Sequence, residues 1–376
     1  MKLLLLIPSL PAFREDFFVS LTNVLSVSNI EPIIIYGELL NSKHKQIEST
    51  DGSLKLIKCP SKEIKIFNFR IKTQPNLYRT VKKQKADGVV FLFNPGIISY
   101  WRVYLSCLLR KIPIGIWSCG YTRPELSFFK SQFRKNILDF FFKKAKINIS
   151  YSTLHKEYLE KIGVNSKNIF VAQNTINIEC IIENGERFPK NKENTSSVIV
   201  LFVGALIKNK HLDIAMIAVD KLISQDYNIT FNIIGKGESS EELEKIRDSL
   251  TNKDKINLLG PKYGNEIMEY FVNSDVFLLT GSGGLAINEA MAYGLPIIST
   301  IGDGTVRDLI DGNGFLLNNV RDVDEVCDKL KLFLNLTNEE RDNMRSRSIE
   351  IIKEKATLKN MIEQYYSAVY SLLGLQ

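Results

Sequence analysis

Short apolar runs alternate with amphipathic stretches along most of this chain, and no other feature limits its fold so strongly. The run Lys2–Ile7 predicts a buried strand, and in residues 14–27 apolar side chains recur every three or four positions, as on one face of a helix. Strands that alternate with helices form a mostly parallel sheet covered on both faces. The other runs that predict strands in the first half are residues 32–36, 88–93, 113–117 and 146–150.

A polar stretch without periodicity, residues 183–197, interrupts the alternation and is the best candidate for a linker. The alternation then restarts with a strand at Val198–Val203, a helix at Leu212–Ile223 and a strand at Ile229–Ile234. A chain of 376 residues exceeds one ordinary core. The sequence therefore predicts an α/β protein with two doubly wound parallel-sheet domains, residues 1–187 and 198–355. Residues 356–376 contain an amphipathic helix that can pack on either domain, including back on the first.

The charges are divided unevenly between the two halves. Residues 1–187 contain 28 basic and 15 acidic residues, a net charge of +13, whereas residues 188–376 carry −6, which together give the +7 of the chain. A basic first half favours an anionic partner such as a membrane surface or a phospholipid-linked acceptor, and a solvated lysine-rich surface is the alternative. Nucleic acid is not expected as a partner, because the basic residues are dispersed and lack an aromatic-interleaved motif.

The cysteines argue against a metal centre. The chain has five, all scattered, with no Cys-x-x-Cys pair and no Cys/His cluster. This pattern favours a reducing, cytoplasmic compartment and predicts no metal site.

Residues 280–296, TGSGGLAINEAMAYGLP, predict a strand end, a glycine-rich turn, a helix and a second turn. The N–H groups at the start of a helix have no partner within it, glycine lets a phosphate approach them, and the helix dipole attracts the anion. Glu289 is expected about one turn inside the helix, where its carboxylate can accept hydrogen bonds from ribose hydroxyls. The segment predicts a phosphate-and-ribose site, with a plain tight turn and a surface glutamate as the alternative.

Two further strand ends are candidates at the same sheet edge. Gly204 ends one strand, and Lys210 follows it at the start of the next helix, where the dipole disfavours a lysine unless an anion binds there. Lys210 is therefore a candidate diphosphate ligand, and a solvated lysine is the alternative. The loop that contains Gly260, Lys262 and Tyr263 can present backbone groups to a base, or is an ordinary loop.

The second half resembles family 4 retaining glycosyltransferases of the GT-B fold over nearly its whole length. The specific marks are the run Glu289-Ala-Met-Ala with Gly294 and Pro296, together with the glycine loops at the preceding strand ends. In the first half, residues 7–18 and 171–177 look like acceptor-domain and interdomain segments of bacterial surface-polysaccharide members. The resemblance implies two Rossmann-like domains that face each other across a cleft.

The resemblance also implies roles for individual positions. Glu289 would bind the donor ribose, Lys210 would neutralise the diphosphate, and Asn174 would line the cleft near the hinge. The donor would be a UDP- or GDP-sugar, with no cofactor and no metal. The other residues implied in donor binding are Gly204, Gly260, Lys262, Tyr263, Gly281, Gly283, Gly284 and Leu285.

Three positions depart from the family pattern. Ala205 stands where a phosphate-binding Arg or Lys is expected, Gly281 where a sugar-contacting Glu is expected, and Cys119 where members often have His. Another cation can replace the missing one. Arg14, in the loop after the first strand, is the first candidate and Arg123 a weaker one, with a surface role as the alternative for both.

These observations predict a cytoplasmic retaining hexosyltransferase that moves a sugar from a nucleoside diphosphate to a glycan or lipid-linked acceptor in cell-surface polysaccharide synthesis. Its catalytic residues would be Lys210, Glu289 and Arg14, and the acceptor side of the cleft would contain Arg14, Cys119, Arg123 and Asn174. Peripheral contact with the inner face of the membrane would fit the basic first half. A non-catalytic GT-B module or partner subunit, and another GT-B chemistry such as epimerisation or phosphorolysis, remain alternatives. His155, in a helix rich in Lys and Glu, is expected to be exposed.

Overall fold

The computed structural model describes residues 1–38, 47, 52–66, 69–119, 128–187, 197–302 and 304–375, and only the backbone at 65–66, 69–71, 128–134 and 186–187. These residues form two compact units. Unit 1 comprises Met1–Gln173 and Leu358–Gln376, and unit 2 comprises Asn174–Thr357.

The strands and helices follow one another in the alternating order that the sequence predicts. In chain order, the strands are β1 (Lys2–Ile7), β2 (Glu31–Tyr36), β3 (Lys55–Lys58), β4 (Lys62–Ile66), β5 (Phe69–Thr73), β6 (Gly88–Leu92), β7 (Ile114–Ser118), β8 (Ile147–Ser150), β9 (Ile169–Val171), β10 (Val198–Val203), β11 (Ile229–Ile234), β12 (Ile256–Leu258), β13 (Val276–Leu279), β14 (Ile297–Thr300) and β15 (Gly314–Leu317). The helices are α1 (Glu15–Val27), α2 (Leu77–Gln84), α3 (Ile98–Leu109), α4 (Phe128–Lys144), α5 (Thr153–Lys161), α6 (Ile178–Arg187), α7 (Leu212–Ile223), α8 (Ser240–Ser249), α9 (Asn265–Asn273), α10 (Leu285–Ala292), α11 (Thr305–Leu309), α12 (Val323–Leu334), α13 (Asn338–Lys355) and α14 (Leu358–Leu373).

Unit 1 is built on a parallel sheet of seven strands in the order β3-β2-β1-β6-β7-β8-β9. In β1, Leu3 and Leu5 face the core that α1 and α14 cover, whereas Leu4 and Leu6 face the core that α2, α3, α4 and α5 cover. This two-sided burial explains why β1 is apolar at every position after Lys2. The strands β4 and β5 form a separate antiparallel pair.

Unit 2 contains a parallel sheet of six strands in the order β12-β11-β10-β13-β14-β15. From β10 the chain adds β11 and β12 on one side, and then returns to add β13, β14 and β15 on the other. The carboxyl ends of β10 and β13 therefore flank the point where the strand order reverses, which is where open α/β sheets bind ligands. The predicted α/β class with two doubly wound parallel sheets is confirmed.

The periodicity predicts several elements at their observed bounds, namely β1, β10, β11 and α7. The change of unit differs from the predicted end of the first domain at residue 187. It lies at Gln173, because Ile178 and Ile182, one helical turn apart on α6, are buried in the core of unit 2. The polar composition that suggested a linker begins at residue 183, after these two side chains.

The helix α14 belongs to unit 1, where Met361, Tyr365 and Val369 are buried against the sheet. Within the described ranges, no helix is long and apolar enough to cross a membrane.

The expectation of an exposed His155 is wrong. The imidazole is 4% exposed, and its ring lies 5.4 Å from that of Phe142. His155 and Leu159, four residues apart, form the inner face of α5, while the Lys and Glu residues between them face outward. Burial lowers the pKa of His155 to about 4, so the side chain is neutral at physiological pH.

Candidate functional site

The predicted donor residues of unit 2 that follow β10 and β13 lie at the point where its strand order reverses. The loop Gly281–Gly284 follows β13, and Lys210 lies in a short 3-10 helix, Lys208–Lys210, after β10. Hydrogen bonds join the two loops: the Thr280 hydroxyl donates to the carbonyls of Lys210 and His211, both at 2.9 Å, and the Ser282 N–H donates to the Asn209 carbonyl at 3.1 Å. The structure thus brings together segments 70 residues apart that the sequence predicts separately.

Gly281 has no room for a side chain. A Cβ atom built on Gly281 would lie 2.1 Å from the Asn209 carbonyl oxygen and 2.4 Å from the Lys210 Cα. Because these neighbours are backbone atoms, they cannot rotate away. The glycine that replaces the expected sugar-contacting Glu is therefore required by the packing of the two loops.

The N-terminus of α10 presents unused donors. The N–H groups of Gly283, Gly284, Leu285 and Ala286 make no hydrogen bond to another described residue, and no side chain caps the helix at Gly284. Such groups at the start of a helix attract an anion.

The Lys210 ammonium contributes charge beside the same turn. It donates to the Ser282 carbonyl, and a Cβ on Gly283 would lie 2.7 Å from the Lys210 Nζ. Backbone donors and one cation therefore converge on this turn, which is an arrangement that suits a diphosphate.

Glu289 lies on α10 one turn beyond Leu285 and is partly buried. In the described part of the chain, its carboxylate accepts no hydrogen bond and forms no salt bridge. Burial raises the pKa of Glu289 from 4.5 to about 7. Hydroxyl donors would stabilise the ionised form of this partly buried carboxylate, because their hydrogen bonds would replace those to the water that burial removes.

The end of α10 explains the Gly294 of the sequence motif. Gly294 has a φ of 73°, its N–H donates to the Met291 carbonyl, and the Leu295 N–H donates to the Ala290 carbonyl, both at 2.9 Å. This pair of bonds is the Schellman arrangement, which needs a left-handed residue after the helix. The motif therefore fixes both ends of the helix that carries Glu289.

Asn288, beside Glu289, is a residue that the sequence reasoning missed. It is fully buried, and its Nδ2 donates to the Asn174 carbonyl at 3.0 Å and to the Thr175 hydroxyl at 3.1 Å. The Thr175 hydroxyl in turn donates to the Ala356 carbonyl. Asn288 thus ties α10 to the first residues of unit 2 and, through Thr175, to its last. An asparagine inside an apolar helix segment is the one signal that could have drawn attention to it.

The strand end at Gly204 and the loop at Gly260 both lie at the carboxyl ends of strands of the unit 2 sheet. Ala205 is exposed, so a longer side chain meets no core atoms there. The Gly260 carbonyl accepts the Gly235 N–H at 2.9 Å, Lys262 pairs with Glu266, and Tyr263 is exposed. This loop follows β12, two strands or roughly 10 Å from β10.

The candidates on the acceptor side lie apart in the chain. Arg14 and Cys119 belong to unit 1, Asn174 begins unit 2, and Arg123 lies outside the described residues. The Arg14 guanidinium is 8% exposed, donates from Nη2 to the Tyr151 hydroxyl at 3.3 Å, and lies 5.1 Å from the Trp117 ring centroid. Its Nη1 is buried and makes no hydrogen bond to a described residue. Arg14 is therefore not the surface residue of the alternative interpretation.

No group of three or more His, Cys, Asp and Glu side chains in the described ranges is arranged to hold a metal ion.

Comparison with known proteins finds similarity in part of the sequence and in the fold. Residues 183–351 match the family model of glycosyl transferases group 1. The colanic acid biosynthesis glycosyltransferase WcaL of Escherichia coli, whose function is described as putative, is 25% identical over 210 residues, which cover 53% of this chain and 50% of WcaL. The chain spans about half the length of the curated relatives it matches.

Two solved structures share the fold over the whole chain. The lipopolysaccharide outer core galactosyltransferase WaaB in its apo form has a TM-score of 0.68 at 19% identity and covers 99% of both chains. Anabaena HepE in complex with UDP has a TM-score of 0.69 at 13% identity, covering 99% of this chain and 100% of HepE. The chain is thus an α/β protein with the GT-B fold of solved glycosyltransferases, and most of its second unit matches the group 1 glycosyl transferases.

Proposed function

We propose that this protein is a retaining glycosyltransferase that moves a hexose from a UDP- or GDP-sugar to a glycan or lipid-linked acceptor in cell-surface polysaccharide synthesis, without a metal. The observation that carries this proposal is a constellation in unit 2: the N–H groups at the start of α10, the Glu289 carboxylate and the Lys210 ammonium. The N–H groups and the carboxylate make no hydrogen bond to another described residue. Each group has a counterpart in a nucleoside diphosphate.

The diphosphate would bind at the turn between β13 and α10. The N–H groups of Gly283, Gly284 and Leu285 would donate to its oxygens, and Lys210 would exchange its bond to the Ser282 carbonyl for one to phosphate. The ribose hydroxyls would donate to Glu289. The loop after β12, with Lys262 and Tyr263, is left for the base.

Transfer with retention in this fold is expected to proceed by attack on the face from which the diphosphate leaves, with that diphosphate taking the proton of the acceptor hydroxyl. The protein would then act chiefly by stabilising the negative charge of the leaving group. Lys210 supplies one cation, and position 205 does not supply a second. We assign the second to Arg14, whose buried guanidinium keeps one nitrogen without a hydrogen bond among the described residues.

The chemistry of the chain and the names of similar proteins support the proposed acceptor and location. WcaL is named for colanic acid synthesis and WaaB for transfer to lipopolysaccharide, and both are polysaccharide products of cell surfaces. A cytoplasmic enzyme that works on a lipid-linked acceptor would contact the inner face of the membrane, which suits the basic first half of the chain.

A second candidate is a non-catalytic GT-B module or the partner subunit of an active transferase. The packing at Gly281 favours this candidate, because the position where family members contact the donor sugar cannot carry a side chain here. Such a module would bind the nucleotide without transferring a sugar.

Calorimetric titration with UDP and with GDP, followed by a turnover assay that detects the released nucleotide, separates these possibilities. The proposal expects one of the two nucleotides to bind and its sugar conjugates to be turned over. Nucleotide binding without turnover across lipid-linked and free glycan acceptors would favour the non-catalytic module. If neither nucleotide bound, the donor site itself would be refuted.

A further inference from the structure

The outward side of three neighbouring helices in unit 1 combines exposed apolar side chains with exposed cations. The helices α2, α3 and α4 cover the same face of the first sheet, and their outward side is hereafter called the basic face. We propose that the basic face docks on the surface of an anionic lipid bilayer.

The centre of the basic face is a stripe along α3. Its members are Ile98, Arg102, Leu105 and Leu109, and the spacing of four, three and four residues places them on one side of the helix. Leu109 is 86% exposed, Ile98 52% and Leu105 47%. The stripe spans roughly 16 Å at the rise of a helix.

The neighbours of α3 fix the direction of the stripe. On one side, the Trp101 ring lies 5.4 Å from that of Phe141 of α4. On the other side, the Arg102 guanidinium lies 4.3 Å from the Tyr78 ring of α2. The buried side chains of α3, such as Tyr104, point to the sheet, so the stripe between its two neighbours points away from the protein.

The helices beside the stripe present cations. The exposed basic side chains of the basic face are Arg79, Lys82 and Lys83 on α2, Arg102 on α3, Arg110 and Lys111 just after it, and Lys143 and Lys144 on α4. Phe140, about one turn before Lys143 on α4, is also exposed.

Acidic side chains are rare over this region. Among the described residues 77–119 and 135–146, the acids are Asp87 and Asp139. Asp139 is partly buried and is paired with Lys135 at 3.1 Å, and Asp87, in the loop after α2, accepts the Lys2 N–H at 2.7 Å. No acidic side chain is exposed on α2, α3 or the described side chains of α4. Among their described side chains, the three helices of the basic face therefore present exposed cations and no exposed acid.

A bilayer accounts for both features at once. A helix that presents aliphatic side chains flanked by Lys and Arg lies in the interface of an anionic membrane, with the apolar groups below the headgroups and the cations among them. Nucleic acid would use the cations but would leave the aliphatic stripe in water. A second copy of the chain would cover the stripe but would oppose like charges.

This inference favours a lipid-linked glycan as the acceptor of the proposed function. The role of the basic face in bringing the enzyme to that acceptor rests on the proposed function. The surface itself is argued independently of unit 2. Its test therefore uses a different readout from nucleotide binding, so that the two can fail separately.

The experiment is cosedimentation of the full chain with vesicles of phosphatidylcholine that contain about 30 mol% phosphatidylglycerol, and with vesicles of phosphatidylcholine alone. We expect binding to the anionic vesicles that weakens with added salt. The double variant Leu105→Gln/Leu109→Gln should reduce binding at least tenfold, and Lys143→Glu/Lys144→Glu by a similar factor. The matched control is Val27→Gln on α1, since Val27 is also 86% exposed but lies on the helix layer that covers the opposite face of the sheet.

Equal binding of the Leu105→Gln/Leu109→Gln variant and the control would overturn the proposal. It would also be overturned if those leucine substitutions changed a dimer to a monomer without changing vesicle binding. Nucleotide affinity measured without vesicles should be the same in all these variants, so a failure of vesicle binding leaves the donor site to its own test.

Discussion

Unit 1 and unit 2 both contain a doubly wound parallel sheet, but different chemical groups lie at the point where the strand order of each sheet reverses. In unit 2 the groups after β10 and β13 are mainly backbone donors and glycines, supplemented by Lys210 and Glu289. In unit 1 the loop after β1 instead contributes the side chain of Arg14, enclosed by the rings of Trp117 and Tyr151. A site made by the backbone leaves a strong glycine pattern in the sequence, whereas one made by side chains does not.

The largest expected effect tests whether the site of unit 2 depends on backbone packing. Gly281→Ala should destabilise the protein by about 3 kcal/mol, because the new Cβ would overlap backbone atoms of Asn209 and Lys210. Gly283→Ala is the matched control, since its Cβ would meet side-chain ends, the Lys210 Nζ at 2.7 Å and the Leu279 Cδ2 at 3.1 Å, and no backbone atom. Denaturant unfolding of the two variants provides the measurement. Equal losses of stability would show that the loops do not pack as described.

The second effect concerns the buried acid of unit 2. Between pH 4.5 and about 7 the folded protein keeps the Glu289 proton that the unfolded chain releases, so the free energy of unfolding should fall as the pH rises through this window. Glu289→Gln should remove that part of the slope, which amounts to no more than about 3 kcal/mol. Urea unfolding at several pH values measures it. The pH slope should be unchanged in Glu244→Gln, a substitution of an exposed residue on α8.

The third effect asks whether unit 1 contributes a catalytic cation. Arg14→Met should reduce turnover roughly a hundredfold, by analogy with the loss of one donor to a developing charge. Affinity for the nucleoside diphosphate should fall by a smaller factor, because Lys210 remains, and Arg14→Lys should recover part of both losses. If Arg14→Met lowered stability but left the turnover of the folded fraction intact, Arg14 would have a structural role.

The smallest expected effect tests the contrast between the two units by adding a charged side chain to the site of unit 2, which is formed mainly by backbone groups. Ala205 is exposed beside Gly204, so Ala205→Lys should place the cation that the family pattern expects without disturbing the core. Affinity for a nucleoside diphosphate should increase by less than tenfold, because Lys210 is already present. Calorimetry measures the gain, and the nucleoside without phosphate should show none. A gain for the nucleoside as well would place the cation away from the phosphates.

The sequence predicts the sheets well because buried parallel strands such as β10 and β11 are continuous apolar runs. It also marks the loops after β13 and β10, since glycines precede a predicted helix at the first and the helix dipole disfavours a lysine at the second unless an anion binds there. It does not reveal why Gly281 replaces Glu, because the clash is with Asn209 and Lys210, which are some 70 residues away in the chain. The same holds for Asn288, whose partners Asn174 and Thr175 lie more than 100 residues earlier. The sequence does not reveal the burial of His155, because the charged residues around it on α5 hide the short inner face that it forms with Leu159.

The central claim is that unit 2 binds a nucleotide at the N-terminus of α10, with the Glu289 carboxylate accepting hydrogen bonds from the ribose hydroxyls. Calorimetric titration of the native protein and of Glu289→Gln with the nucleotide that binds, UDP or GDP, tests it most directly. We predict an affinity at least tenfold lower for Glu289→Gln, and a native affinity that rises from pH 6 to pH 8 as the carboxyl with its pKa of about 7 ionises. An affinity that is the same in both proteins at every pH would contradict the account.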